Sequence, residues 1–381
     1  MKYRTASPFF KKEEINTILD ETRKILSGEG MLTMGKNVEE FETQFSDYIG
    51  CKGAVATNSC TSALEVSLMA LGISSGDEVI IPVQTFIATG SAVLRVGATP
   101  VFCDVNSNFL LDFDSLKNKI TSSTKAVILV HFSGLLHEDV QEIKDYLTSK
   151  DIYLIEDAAH APGASLKNQK AGTFGDLSCF SFFSTKNITT GEGGMITTDS
   201  SDLLNKCSSI RNRGLDIESK EESFIRMGGN YRMTEFQALL GKTQLKRLDE
   251  INIIRNNIAS IYKSNLSKVH SKGLLELPTI HGHIYHSYWR FWVRLKQGLD
   301  RNKIKNILAE NSISSDWAYD PLLHIQPVFK DYFKTTISFP KSEEFASRHI
   351  CLPIHTLITE DDANFISSTF SDILIEQDNE S

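Results

Sequence analysis

Between residues 53 and 157 the chain repeats one unit, a short apolar run of strand character followed by a stretch with helical spacing. Gly53–Thr57 precedes a helix carrying Leu64, Leu68 and Leu71, and Glu78–Pro82 precedes a helix over 85–96. Strands over 100–105, 125–132 and 152–155 follow, with Val140–Thr148 as the helix between the last two. Tight turns cannot join parallel strands, so strands that alternate with helices fold through right-handed crossovers. The expected fold is therefore α/β, a mostly parallel sheet with helices on both faces. Ligands in such sheets gather at the carboxyl ends of the strands. Asn58, the run from Pro82 to Phe86, His131 and Asp157 all stand at those ends.

The next segment departs from this pattern. Aromatics at 180, 182 and 183 with serines at 178 and 181 suit a strand over 177–183, packed on at least one face. Ser184 and Thr185 end it, Lys186 sits on the exit, and Gly191-Glu-Gly-Gly194 lets the backbone pass close to another group. A lysine amine is nucleophilic only when deprotonated, through burial, neighbouring positive charge or an existing imine. Lys186 thus reads either as a catalytic amine delivered from a buried strand or as a surface lysine after a hairpin. Asp157 ends an apolar strand, where an unpaired carboxylate is costly and needs a positive partner such as a protonated heterocyclic nitrogen. A structural cap on the turn Asp-Ala-Ala-His is the other reading. Asn58-Ser-Cys-Thr-Ser62 opens the first helix of the array, and its hydroxyls and free N–H groups make either an anion site or an ordinary N-cap. A carboxylate for a ring nitrogen, a lysine for an imine and an anion site for a phosphate form the set that pyridoxal phosphate requires.

A chain of 381 residues suits a large domain and a smaller one, set here at 1–248 and 249–381, the second of α+β type. The net charge of −8, spread without a basic face, argues against nucleic acid as a partner. The six cysteines form no C-x-x-C pair and suit a reducing compartment. With no apolar run of signal-peptide or membrane-spanning length, a cytoplasmic protein without a membrane partner is expected. His281-Gly-His283 and His286 lack a zinc spacing, so no metal is expected. Thr234 and Gln237 read as a capping box. The stretch 211–230, with Arg211, Arg213 and an acidic patch at 218–222, reads as a mobile loop. In the second domain an alternating strand is expected at 288–295, helices over 301–310 and after Thr359, and a disordered tail at 376–381.

Asn58-Ser-Cys-Thr-Ser-Ala-Leu64, Gly76-Asp-Glu-Val-Ile-Ile-Pro82 with Thr85-Phe86, Val130-His-Phe-Ser-Gly134, and Glu156-Asp-Ala-Ala-His-Ala161 form an ordered set of motifs. Phe180-Ser-Phe-x-x-x-Lys186 through Gly194, Asn230-Tyr-Arg-Met233 and Pro321-Leu-Leu-His324 continue it. Together they resemble the DegT/DnrJ sugar aminotransferases, fold type I pyridoxal phosphate enzymes. The resemblance implies an aspartate aminotransferase-like fold and a homodimer whose active sites are shared between subunits. It implies Lys186 as the imine-forming lysine and proton carrier, Asp157 as the partner of the ring nitrogen, His160 beside the phenolic oxygen and Phe86 stacked on the ring. Ser59, Cys60, Thr61 and Ser181 would hold the phosphate, Asn230 would reach it from the partner subunit, and Arg232 and His324 would touch substrate. Relatives that dehydrate keto-sugars carry histidine where this chain has Lys186, so the lysine implies transamination. The implied donor is L-glutamate, and the acceptor a nucleotide-linked 3-keto or 4-keto deoxysugar, or a free keto-sugar acid such as an oxidised octulosonate. A non-catalytic binding protein that keeps the cofactor fold is the other class, against which the pair Lys186 and Asp157 speaks.

Overall fold

The structure, a computed structural model, describes residues 1–219, 221–334 and 337–380. Its main sheet has seven strands: β1 (Gly53–Thr57), β2 (Glu78–Pro82), β3 (Thr99–Cys103), β4 (Thr124–Val130), β5 (Tyr153–Asp157), β6 (Leu177–Ser181) and β7 (Gly194–Thr198). Their order across the sheet is β1-β7-β6-β5-β4-β2-β3. The alternation of strand and helix produces the expected parallel pairing from β6 to β3. Only β7 runs against its neighbours, pairing antiparallel with β6 and with β1. The connection from β6 to β7 contains no helix, so the chain turns back instead of crossing over.

Neighbouring residues of one strand feed different cores. Phe180 of β6 packs with Phe41 and Phe45 of the helix Lys36–Ile49, whereas Cys179 joins the cluster of Leu64, Ile128 and Ile155 on the other face. The Phe45 ring meets Phe180 edge-on at 4.9 Å, and Phe41 lies 5.2 Å from Phe182. Burying each such ring contributes about 2 kcal/mol, which holds β6 and the segment behind it rigidly in place. The chain then leaves the sheet at a fixed point just before Lys186.

The first turn of the helix Glu235–Leu245 positions the rim of the site. Thr234 and Gln237 form the expected capping box. The Gln237 amide also donates to the Glu192 carbonyl at 2.7 Å. The Glu235 carboxylate accepts the N–H groups of Gly35, Asn37 and Val38, capping the helix Lys36–Ile49 from outside. Among its described residues the stretch 211–230 holds no helix or strand after Arg211 but is pinned by bridges from Asn212 to Asn230 and from Leu215 to Phe224. Within its acidic patch, Lys220 lies outside the described residues.

A third core lies under a three-stranded antiparallel sheet of β8 (Leu275–Glu276), β9 (Phe291–Leu295) and β10 (His349–Leu352). The helix Leu248–Ser271 starts in the first core with Leu248 and Ile251 and ends in the third with Ile258 and Tyr262. Two features differ from expectation. The strand expected at 288–295 is confined to 291–295, and all five residues are buried instead of alternating. Phe291 and Val293 face Tyr262, while Trp292 faces Phe109, so both sides of the strand are covered. The tail expected to be disordered is helical to Glu380, because Ile373 and Leu374 are buried and Lys296 pairs with Asp378 at 2.7 Å. Ser381 lies outside the described residues.

Candidate active site

The carboxyl ends of β1, β2, β5 and β6 open on one cavity of about 370 Å³, lined by Ser59, Cys60, Thr61, Phe86, Asp157, His160, Ser181 and Lys186 among others. Eight residues singled out in the sequence thus meet in one place. Each is delivered by a strand end or the turn after it, as the crossover topology dictates.

After β1 the chain enters the helix Cys60–Ala70. The Ser59 hydroxyl accepts the Ser62 N–H at 3.1 Å, and Ser62 donates to the Asn58 side chain at 2.6 Å. A Cβ on Gly194 would come within 2.5 Å of the Ser59 carbonyl, so only glycine lets β7 lie against this turn. The helix start therefore sits deep in the sheet, facing the cavity with positive dipole and hydroxyls. Burial pushes the Cys60 thiol well above its usual range, so it brings no negative charge to this anion-friendly turn.

Two adjacent carboxylates end β5, and their surroundings separate their roles. Glu156 is fully buried and accepts from the N–H groups of Gly172, Phe174 and Gly175, from the Ser178 hydroxyl and from the His131 ring. Those partners hold it below the usual carboxylate range against its burial. Asp157 accepts from Thr89 at 2.9 Å and from the Ala159 N–H at 3.2 Å. Burial dominates at Asp157 and pushes its carboxyl up, with Thr89 and the nearby Lys186 opposing. A carboxylate in this state gains from a cation placed in the cavity beside it.

Burial pushes the Lys186 amine down to about 8, which makes the neutral nucleophile accessible near neutral pH. Its Nζ lies 4.2 Å from the centroid of the Trp289 ring. The Ser133 N–H donates to His160 Nδ1 at 3.2 Å, so in the neutral ring Nε2 carries the hydrogen and donates to the Tyr319 hydroxyl at 2.8 Å. Burial keeps His160 well below the usual histidine range, hence neutral. The donor set fits pyridoxal phosphate: a carboxylate lacking a cation for the ring nitrogen, a desolvated amine for the aldehyde, and a helix start with hydroxyls for the phosphate.

Three residues singled out in the sequence stand apart. Asn230 is exposed and lines a neighbouring groove with Asn58, Thr61 and Tyr231. Arg232 donates to the Asn212 side chain at 2.7 Å. His324 is buried, bonded to Glu343 at 2.9 Å and packed on Phe339, away from the cavity lining. Conversely, Thr89, Trp289 and Tyr319 belong to the site although sequence reasoning does not find them. Thr89 has a signal in its i, i+4 spacing from Thr85, to which it bonds at 2.8 Å. Trp289 and Tyr319 have none, because both arrive from the C-terminal part of the chain through long-range packing. The histidine cluster holds no metal geometry: His281 pairs with Glu138 at 2.8 Å, and among the described residues no three ligand side chains gather. Also among them, no helix is long and apolar enough to cross a membrane.

The model of the DegT/DnrJ/EryC1/StrS aminotransferase family matches residues 12–371. The chain belongs to this family. GDP-perosamine synthase of Caulobacter vibrioides is 36% identical over 346 residues, covering 90% of this chain and 91% of that one. An aminotransferase structure from Psychrobacter cryohalolentis superposes with a TM-score of 0.92 at 28% identity, over 99% of this chain and 100% of the other. The pyridoxal phosphate form of the putative sugar aminotransferase Spr1654 from Streptococcus pneumoniae superposes with a TM-score of 0.87 at 28% identity, over 98% of each chain. This sugar aminotransferase is accordingly a pyridoxal phosphate enzyme of fold type I. The position of Lys186 sets its pH behaviour. If Lys186 is the lysine that captures pyridoxal phosphate, the rate of capture by cofactor-free protein is expected to rise with pH through a midpoint near 8, followed as growth of the visible absorption band. A midpoint near the ordinary lysine value of 10.5 would show that the amine is not desolvated.

Proposed function

We propose that this aminotransferase takes its amino group from L-glutamate and delivers it to the ketone of a nucleotide-linked keto-deoxysugar, in the synthesis of an amino sugar for a surface polysaccharide. The observation that carries the proposal is the pairing, in one cavity, of a desolvated amine at Lys186 with the cation-seeking carboxylate of Asp157. Relatives named GDP-perosamine synthase from three bacteria, 32% to 36% identical, support the nucleotide-linked acceptor. A Bacillus subtilis relative named for spore coat polysaccharide biosynthesis, 34% identical, supports the polysaccharide setting.

Bound pyridoxal phosphate supplies the electron sink that lets a C–H bond beside the transferred nitrogen give up its proton. The chain supplies the rest. Asp157 would hold the ring nitrogen in its protonated form. Lys186 would attach the cofactor and, when free, would serve as the base that moves the proton between the donor carbon and the cofactor. Neutral His160, fixed by Ser133 and Tyr319, offers a hydrogen-bonding edge beside the ring, and Phe86 covers a ring face. Ser59, Cys60, Thr61 and Ser181 would hold the phosphate through hydroxyls and N–H groups. Arg232 is assigned to substrate. His324 takes no part, because its ring is committed to Glu343.

Asn230 acts in the neighbouring subunit of a homodimer, consistent with its exposure beside the apolar surface residues Ile225 and Met227. The acceptor is tested by converting the enzyme to its amino form with glutamate and adding keto-sugars one at a time. Return of the visible band is expected with a nucleotide-linked keto-deoxysugar. Return only with a free keto-sugar acid would move the assignment to that class. Sharing of sites is tested by mixing Lys186→Ala and Asn230→Ala chains, each inactive alone. Random reassociation should restore about a quarter of the wild-type activity, since half the dimers then hold one intact site. No recovery in dimers shown to exchange subunits would remove Asn230 from the partner's site.

A further inference from the structure

Trp289 stands among the working groups of the cavity although no motif points to it. Its indole N–H donates to the Thr185 carbonyl at 3.0 Å, fixing the residue before Lys186. Its ring is stacked on His160 at 3.8 Å with only 8° between planes. Lys186 Nζ lies 4.2 Å from the ring centroid. One side chain thus touches both the residue that precedes the lysine and the histidine whose Nε2 meets Tyr319. The loop 288–290 that carries it is set by the positive φ of Tyr288, at 47°, and by the buried strand β9 that follows.

We propose that Trp289 is the positioning residue for Lys186: its ring face holds the ε-amine over the cavity and stabilises the ammonium form that the lysine adopts whenever it carries a proton. An indole has the most electron-rich face among the aromatic side chains, and its pull on a cation grows when water is excluded. This matters because nearly everything else at Lys186 acts on charge in opposite senses. Burial and the Arg290 guanidinium, itself 4.5 Å from the same ring, disfavour the ammonium, whereas the Asp157 carboxylate favours it. His160, Glu192 and Tyr319 complete the titratable lining. A proton carrier must spend time in both states, and the indole face offsets part of the desolvation without introducing a carboxylate that would compete with Asp157 for the ring nitrogen.

This inference rests on Lys186 being the cofactor lysine, but its test reads the amine in protein without cofactor. The three tryptophans are replaced during expression by 5-fluorotryptophan and by a trifluorinated tryptophan, which keep the shape and N–H while draining the ring face. The pH dependence of Lys186 acetylation is then followed by peptide mass spectrometry. The midpoint is expected to fall from near 8 in steps with fluorination, by about half a unit to one unit in all. An unchanged or rising midpoint overturns the proposal, because a purely structural role does not follow ring electron density. Trp289→Phe and Trp289→Leu provide a second comparison. Both open space and remove the bond to Thr185, so a lower midpoint in the leucine protein supports the ring-face role, and equal midpoints contradict it. Capture of the cofactor at Lys186 is a separate result, so failure here leaves the assignment of Lys186 intact.

Discussion

A carboxylate shut away from water at the end of a strand must be answered by a positive charge, and the site is arranged around that requirement at Asp157. Its neighbour Glu156 shows what full satisfaction looks like: five donors surround it, and its carboxylate knits the turn 172–175 to the sheet. Asp157 has Thr89 and one N–H, and beyond them an open cavity. The sheet can tolerate this because the flanking interactions are strong. Parallel pairing with β4 and β6 fixes the strand end, and two cores hold the sheet from both faces. A cationic heterocycle placed in the cavity would relieve the imbalance.

The same water-poor cavity sets the states of the other groups. Desolvation lowers the amine of Lys186, keeps His160 neutral and keeps Cys60 a thiol. In the proposed roles each of those states would serve transamination: a nucleophile available near neutral pH, a hydrogen-bonding ring without competing charge, and a phosphate turn free of an anion. One physical cause, burial at the strand ends, thus acts on several residues at once.

How much of the site is legible in the sequence follows from how local each cause is. The alternation of strand and helix from 53 to 157 reports on crossover topology, and that topology places strand ends together. Asn58, His131 and Asp157 can therefore be grouped from the order of residues alone, whereas Lys186, which reads equally as a surface lysine, joins them in the sequence only through the resemblance of its motif. The capping box at Thr234 and Gln237 is legible for the same reason, since its donors and acceptors lie within one helical turn. Trp289 and Tyr319 are not, because their place in the cavity depends on how the C-terminal core docks against the large sheet. The strand at 291–295 is shorter than its pattern suggests and does not alternate, because its second covered face comes from Phe109, far away in sequence. The tail reads as disordered for a related reason: it is polar, and its helix is continuous with the preceding turn, where Ile373 and Leu374 are buried.

The central claim is that Lys186 is the residue to which the cofactor is attached. Borohydride reduction of the pyridoxal phosphate-loaded protein, followed by peptide mass analysis, tests it directly. The mass of the reduced cofactor is expected on the peptide that carries Lys186, and it is expected to be lost in the Lys186→Ala protein. Attachment at a different lysine, or no attachment by a protein that has taken up the cofactor, would contradict it.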